Sequence, residues 1–540
     1  MRALRALPTP MAFAGAGVLA RAGVRRDRIR LGGWVVLTAG LVAATASSVT
    51  SLYADPADRR DYAATAGTNS AIGGPGAGTD TLGGITVHEI GTITLILAAV
   101  AAILLTVRHT RAEEQTGRAE LVGAAATSRH ARLAAALAVV GGTQLAIGAL
   151  SAVSLIGFGL PAGGSLAFGL AVAGTGWVFA GVAAVTAQIF EHARTAAGVA
   201  LAGFGVAFVL RAVGDVNGGT AVGRLSLLSP IGWAQRVRAY AGERWWVIGL
   251  LVVTGAVLAG VAVALSARRD VGAGVIQARP GRARATPRLS GPWALAWRLQ
   301  RGGLIGWTAG VALVAAVLGA SAHDIGTTAG NNENAADVIT RLGGAGDLTD
   351  SFLSWVLRVA GMAAALFAVA AVLRVRSEET GLRAEPVLAA AVRRVRWAAG
   401  HLVVAATGTV SIIAVSGLVV GLVHGLRTDD LADQLPRMLA GSLAQIPAAL
   451  AVAAVAVALV GLLPRLALGA WAFAAAAVLL GQVGAALGLD QWALDVSPFT
   501  HVPRLPGGAL TTTPLVWLTA VAAALTAAGL AGLRRRDITG

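Results

Sequence analysis

The chain has no cysteine and no lysine, and charged residues make up only 13% of its 540 positions. Without cysteine there is no disulfide, no thiol nucleophile and no thiolate metal site. Without lysine there is no Walker A loop, because G-x-x-x-x-G-K-[ST] needs its lysine to reach the nucleotide phosphates. The glycine-rich stretch 73–84 therefore reads as a flexible loop. Metal ligands are equally sparse: the eight histidines are scattered, with none beside another at ligand spacing. No G-x-S-x-G nucleophile elbow occurs.

What the chain has in abundance is hydrocarbon. It is 56% hydrophobic, with a mean hydropathy of +0.71. A soluble protein of this length would need more polar surface to cover its core. Apolar runs of about 20 residues, each long enough to span a bilayer, recur along the sequence. They lie near 32–53, 91–107, 133–157, 165–188, 195–213 and 245–266, and again near 303–322, 354–373, 398–424, 438–462, 465–487 and 513–533. The expected fold class is an all-α integral membrane protein with about 12 transmembrane helices. No short cleavable signal precedes the run from Leu31, which reads as a retained span.

Arginine placement orients this arrangement. With the N-terminus inside, 31 of the 43 arginines fall on the inner side, while acidic residues favour the outer side. Both termini are then expected in the cytoplasm of a bacterial cell, with the chain in its cytoplasmic membrane. The net charge of +16 reflects this topology and attraction to anionic lipid headgroups. No soluble domain is available to support nucleic-acid binding.

The sequence repeats. RAEEQTGRAE at 111–120 resembles RSEETGLRAE at 376–385, a constant offset of 265. Each follows the second span of its half. Gly33-Trp34 and Gly306-Trp307 open the halves, Ser229-Pro230 has a counterpart in Ser497-Pro498, and Arg268-Arg269-Asp270 in Arg535-Arg536-Asp537. The expected organisation is a first six-helix half over 1–266, a cytoplasmic linker over 267–291 and a second half over 292–540. Because six is even, the repeat is parallel, about an axis along the membrane normal. Residues 10–30 and 292–301, which mix apolar, aromatic and basic residues, read as interfacial helices or as ordinary positive flanks.

The repeated acidic segments are the candidate functional element. Glu114 to Arg118 and Glu379 to Arg383 have the favourable i, i+4 order of a helix. Glu113 and Glu120, like Glu378 and Glu385, are seven apart and share a helical face. A short acidic helix between two spans could dock a partner and move both spans; a solvated loop held by salt bridges is the plainer alternative.

The stretch EEQTGRAEL at 113–121 resembles the E-x-x-x-G-x-x-E-L segment between the second and third spans of ABC-2-type exporter permeases. The six-span halves also resemble that family, and the fused 6+6 layout resembles its polyketide-antibiotic and multidrug exporters. The resemblance implies a coupling segment that contacts a separate ATPase subunit, at Glu113, Glu114, Gly117, Arg118, Glu120 and Leu121. In the second copy the implied positions are Glu378, Glu379, Gly381, Arg383 and Glu385, with the glycine one place early and Pro386 where the leucine would stand. It also implies export, ATP and magnesium held in the partner, and two ATPase copies per chain.

A proton-coupled carrier of the major facilitator type shares the 6+6 architecture. All acidic residues, however, read as lying in loops or at span edges, with Glu89 and Asp215 nearest a span, and the histidines read as peripheral. Arg358 is the one arginine expected within the hydrocarbon, snorkelling outward. A scaffold or lipid-modifying enzyme is a third class, with no cluster to support it. Thr143, Gln144, Ser442 and Gln445 are the more polar intramembrane positions. They read either as lining a path for amphiphilic or lipophilic cargo or as interhelical hydrogen bonds.

Overall fold

A computed structural model of the chain describes residues 13–66, 77–117, 128, 130–216, 220–270, 272–276, 291–329, 347–390, 392–483 and 490–536. These form two compact units, 1–281 and 282–540. Among the described residues the structure is helical, with one isolated bridge between Phe190 and Ile276.

The first unit carries α1 (Ala16–Leu52), α2 (Leu82–Gln115), α3 (Ala131–Gly157), α4 (Ala162–Ile189), α5 (Ala193–Val216) and α6 (Trp245–Ser266). The second carries α7 (Pro292–Ala329), α8 (Leu348–Thr380), α9 (Arg394–Arg427), α10 (Leu431–Leu462), α11 (Gly469–Val483) and α12 (Thr512–Arg535). Eleven of these are long and apolar enough to cross a membrane. The other, α11, has 15 described residues. The protein is therefore an all-α integral membrane protein.

Helix starts and breaks follow local chemistry. Thr81 accepts a hydrogen bond from Gly84 N at the head of α2, as an N-cap does. α1 is continuous from Ala16, with a kink at Asp27 (φ −103°, ψ 15°). α10 breaks at Ala444-Gln445, just before Pro447, whose ring and missing N–H cannot continue an α-helical ladder. Leucine, valine and tryptophan side chains remain exposed along α6 and α12, including Trp246 and Trp517. This suits helices whose outer faces meet lipid and whose aromatic residues lie near the interfaces.

Within each unit the helices pack in corresponding pairs. α1 packs on α3, α3 on α4, α4 on α6, and α2 on α1 and α4. In the second unit α7 packs on α9, α9 on α10, α10 on α12, and α8 on α7 and α10. Glycine sets the closest approaches: a Cβ at Gly148 would collide with the Gly169 carbonyl, and one at Gly461 with that of Gly529. Small residues let helix backbones meet where lipid supplies no hydrophobic drive for packing.

Candidate functional site

The acidic segments lie at the C-terminal ends of α2 and α8. In the first unit a π-turn, Arg108–Ala112, precedes a last helical turn, Glu113–Gln115. Such turns shift the register of the residues that follow and are frequent at functional places. Arg111 is fully buried; its Nη1 donates to Glu114 Oε2 at 2.6 Å and its Nη2 to the Ala273 carbonyl at 2.9 Å. From beyond the end of α6, Arg269 donates to both oxygens of Glu114, at 2.8 and 3.0 Å. Glu114 is thus held between two arginines and ties the end of α2 to the chain leaving α6.

The second unit repeats this clamp. Arg376 Nη1 donates to Glu379 Oε2 at 3.1 Å, and Arg536 Nη2 to Glu379 Oε1 at 2.6 Å. The pairs aligned in the sequence, Arg111 with Arg376, Glu114 with Glu379 and Arg269 with Arg536, take equivalent places. Glu379 is buried, so its charge is tolerable only because both partners are in contact.

Of the two expected i, i+4 pairs, Glu379–Arg383 does not form, and Glu114–Arg118 reaches beyond the described residues. Arg118, with Glu120 and Leu121, lies outside the described residues; the partners of Glu114 are Arg111 and Arg269. Arg383 pairs with Glu378 at 2.8 Å, not with Glu379. The reason is that the helix ends at Thr380 and the chain turns, which carries Arg383 off the α8 spiral. For the same reason Glu378 and Glu385 share no face: Glu378 is buried, and Glu385 is exposed at the start of a separate short helix, Glu385–Ala389.

Both turns contain a left-handed residue at the same repeat position. Gly117 has φ 71°. Its equivalent at the 265 offset is Leu382, with φ 56°, whereas Gly381 has φ −88°. The left-handed cap has stayed in register although the glycine has moved one place. The Arg383 guanidinium lies where a Cβ on Gly381 would project.

Two further contacts differ between the units. In the first, Asp27 at the α1 kink is buried and accepts from Arg108 at 2.7 and 3.1 Å. His109 Nε2 is 3.5 Å from the same carboxylate, and Arg26 ion-pairs with Glu113. Taking Gly33-Trp34 and Gly306-Trp307 as equivalent, Gln300 replaces Asp27; its amide Nε2 lies 2.8 Å from His401 Nδ1 on α9.

Residues 289–534 match the family described as "Multidrug efflux system permease Rv1217c, C-terminal domain". The chain is also 43% identical, over 530 residues, to the multidrug efflux system permease protein Rv1217c of Mycobacterium tuberculosis, spanning 97% of this chain and 96% of that protein. The chain belongs to this family of multidrug efflux permeases.

The permease buries more polar chemistry than its sequence suggested. Asp27, in the stretch read as an interfacial helix or positive flank, is buried within α1, and Glu89, read as lying beside a span, is an exposed residue of α2. Among the histidines, His109, His401 and His424 are buried. Arg211 on α5 is fully buried and ion-pairs with Asp215 at 2.7 Å, so Arg358 is not the one arginine among the spans. Arg358 itself is buried, at 9% exposure. These groups escaped a linear reading because their partners are remote in sequence: Arg108 lies 81 residues from Asp27. The one local signal was the i, i+4 spacing of Arg211 and Asp215.

The weakly polar positions are all buried. Gln144 Nε2 donates across to the Ala98 carbonyl of α2 at 3.1 Å, and Thr143 bonds within its own helix at 2.8 Å. Ser442 donates to the Ile413 carbonyl of α9. Gln445 Cβ packs where a Cβ on Gly361 would stand.

A small cavity of about 50 Å³ opens at the opposite end of α2 from the clamp. His88, Thr92 and Leu95 of α2, Phe168 of α4, and Gln235 and Arg238 of the segment after α5 help to line it. Its wall is built under strain: Arg238 (φ 54°) and Tyr240 (φ 64°) are both left-handed, a conformation that tertiary contacts must hold in place. The Tyr240 ring supplies those contacts by filling the space beside Gly83 and Gly164, and its hydroxyl lies 2.7 Å from Ser165 Oγ. Burial, reinforced by Glu243, raises the Tyr240 phenol to about 12. Burial likewise pushes Tyr53 up to about 12, with Glu89 and Asp58 adding to it.

Proposed function

We propose that this chain is the membrane permease of an efflux system for amphiphilic or lipophilic compounds, energised by a separate ATP-binding-cassette subunit. ATP and magnesium belong to that partner. The relative's name, a multidrug efflux system permease, supports the drug-efflux reading. The observation that carries the coupling reading is the repeated clamp. Exposed tips, Gln115 and Thr116 in one unit and Thr380, Leu382 and Glu385 in the other, stand directly beyond a buried arginine–glutamate strut. A partner pressing on a tip moves the ends of two helices together. Glu114, Glu378 and Glu379 serve as internal struts in this scheme, and the exposed residues meet the partner. Two equivalent tips call for two ATPase copies. Leu382 and Pro386 make the second tip different, so the two sites couple unequally. The arginine-rich ends face the cytoplasm of a bacterial cell, by the positive-inside rule.

A proton-driven carrier is a second reading, favoured by Asp27 and His109 lying 3.5 Å apart in a buried cluster. One reconstitution separates the two. In nanodiscs with a candidate ATPase, vanadate-sensitive hydrolysis should rise with the permease present and fall several-fold in Glu114→Ala and, to a different extent, in Glu379→Ala. Equal losses would remove the asymmetry. Dye transport by the chain alone in proteoliposomes, driven by a pH gradient, would overturn the ATPase reading.

A further inference from the structure

The Tyr62–His88–Glu89 cluster fixes a hydrogen-bonding direction. Tyr62 Oη lies 2.5 Å from Glu89 Oε1 and 2.8 Å from His88 Nδ1. A tyrosine has one hydroxyl proton, and a carboxylate only accepts. The Tyr62 proton therefore goes to Glu89, and the Tyr62 oxygen must accept from His88. That places the imidazole proton on Nδ1, since the bond made by one ring nitrogen sets the state of the other. In the neutral ring Nε2 is then a bare acceptor. It is buried and has no partner among the described residues, which is costly unless something donates to it.

The same ring lines the cavity described above. The other polar groups there are unequally available. Gln235 is used on both sides of its amide, accepting from Arg211 at 2.9 Å and donating to Thr92 at 3.3 Å. Arg238, exposed at the rim, brings donors. Leu95, Phe168 and Ala171 supply apolar wall. The site thus offers an acceptor, a cationic donor and a hydrophobic floor. A ligand cation is disfavoured by Arg238 and by Arg211 behind Gln235. A hydroxyl fits, because it donates and accepts through one oxygen.

We propose that this cavity binds the hydroxyl end of a neutral amphiphile, which donates to His88 Nε2 and accepts from Arg238. The volume of about 50 Å³ admits such a group and the carbons that bear it; the rest of the molecule lies outside. That the ligand is cargo rests on the efflux reading, whereas its binding does not, and the test below uses no energy source.

The probes are 4-propylphenol and its methyl ether, 4-propylanisole, titrated against the full chain in nanodiscs with empty nanodiscs subtracted. The phenol should bind at least tenfold more tightly than the ether. His88→Asn keeps a donor toward Tyr62 and removes the Nε2 acceptor; it should weaken the phenol at least tenfold and leave the ether unchanged. Tyr62→Phe changes no residue that lines the cavity, yet it releases the His88 tautomer and should reduce the preference for the phenol. It also keeps the test open if His88→Asn fails to fold. Equal binding of the two probes, or a phenol preference untouched by both substitutions, would overturn the site. Loss of the site with drug efflux intact would leave the efflux reading standing.

Discussion

At the scale of single residues, the left-handed cap after α2 and α8 is the clearest case of geometry outlasting sequence. Gly117 adopts φ 71° without penalty, whereas Leu382 adopts φ 56° with a side chain attached. A left-handed L-residue costs about 1–2 kcal/mol. Leu382→Gly should therefore stabilise the protein by up to about 1 kcal/mol, once the greater freedom of glycine in the unfolded chain is counted. A raised thermal midpoint in detergent checks this; a lowered one would mean that the Leu382 side chain contributes more by contact than its backbone loses. The repeat alignment located this position, but its backbone conformation could not be read from the shifted glycine. Gly381 looked like the cap, and only the path of the turn moved that role to Leu382.

At the scale of elements, the clamps join helix ends that lie far apart in the chain. Glu114 and Arg269 are 155 residues apart, and Glu379 and Arg536 are 157 apart. Both acids are well buried between two arginines, so removing the acid strips both arginines of their shared partner and costs about 3–5 kcal/mol. A double-mutant cycle of Glu114→Ala with Arg269→Ala should give a coupling energy of about 1–3 kcal/mol. The corresponding cycle of Glu379→Ala with Arg536→Ala should give a similar value. Chemical unfolding in detergent measures both, and additive losses would show that the clamps are incidental contacts. All the residues of the clamps were visible as repeat landmarks. Their pairing was not, because helical spacing nominates neighbours on one helix and says nothing of a partner arriving on another.

At the scale of the whole molecule, the two units repeat one packing scheme with different chemistry inside it. Asp27 bridges α1 to α2 through Arg108, while Gln300 at the equivalent place reaches His401 on α9. The absence of cysteine from the chain makes its topology directly measurable. Thr116 and Glu243 lie beyond opposite ends of the spans they follow or precede. Single replacements Thr116→Cys and Glu243→Cys should label from opposite sides in intact cells, with Glu243→Cys reacting with an impermeant maleimide added outside. Labelling of both from one side would refute the assigned orientation.

The hydrophobic runs sufficed for the fold class, because length and polarity are all that a bilayer demands of a helix. The acidic segments were likewise legible as a paired feature of the two halves. Which carboxylates face inward was decided only by tertiary structure. In a membrane protein a buried charge survives by meeting an opposite one, and that partner stands at a distance fixed by helix packing, not by sequence spacing. The same reason hid the cavity beside His88, whose polarity depends on a tyrosine 26 residues earlier in the chain and on a turn bent by Tyr240 far later.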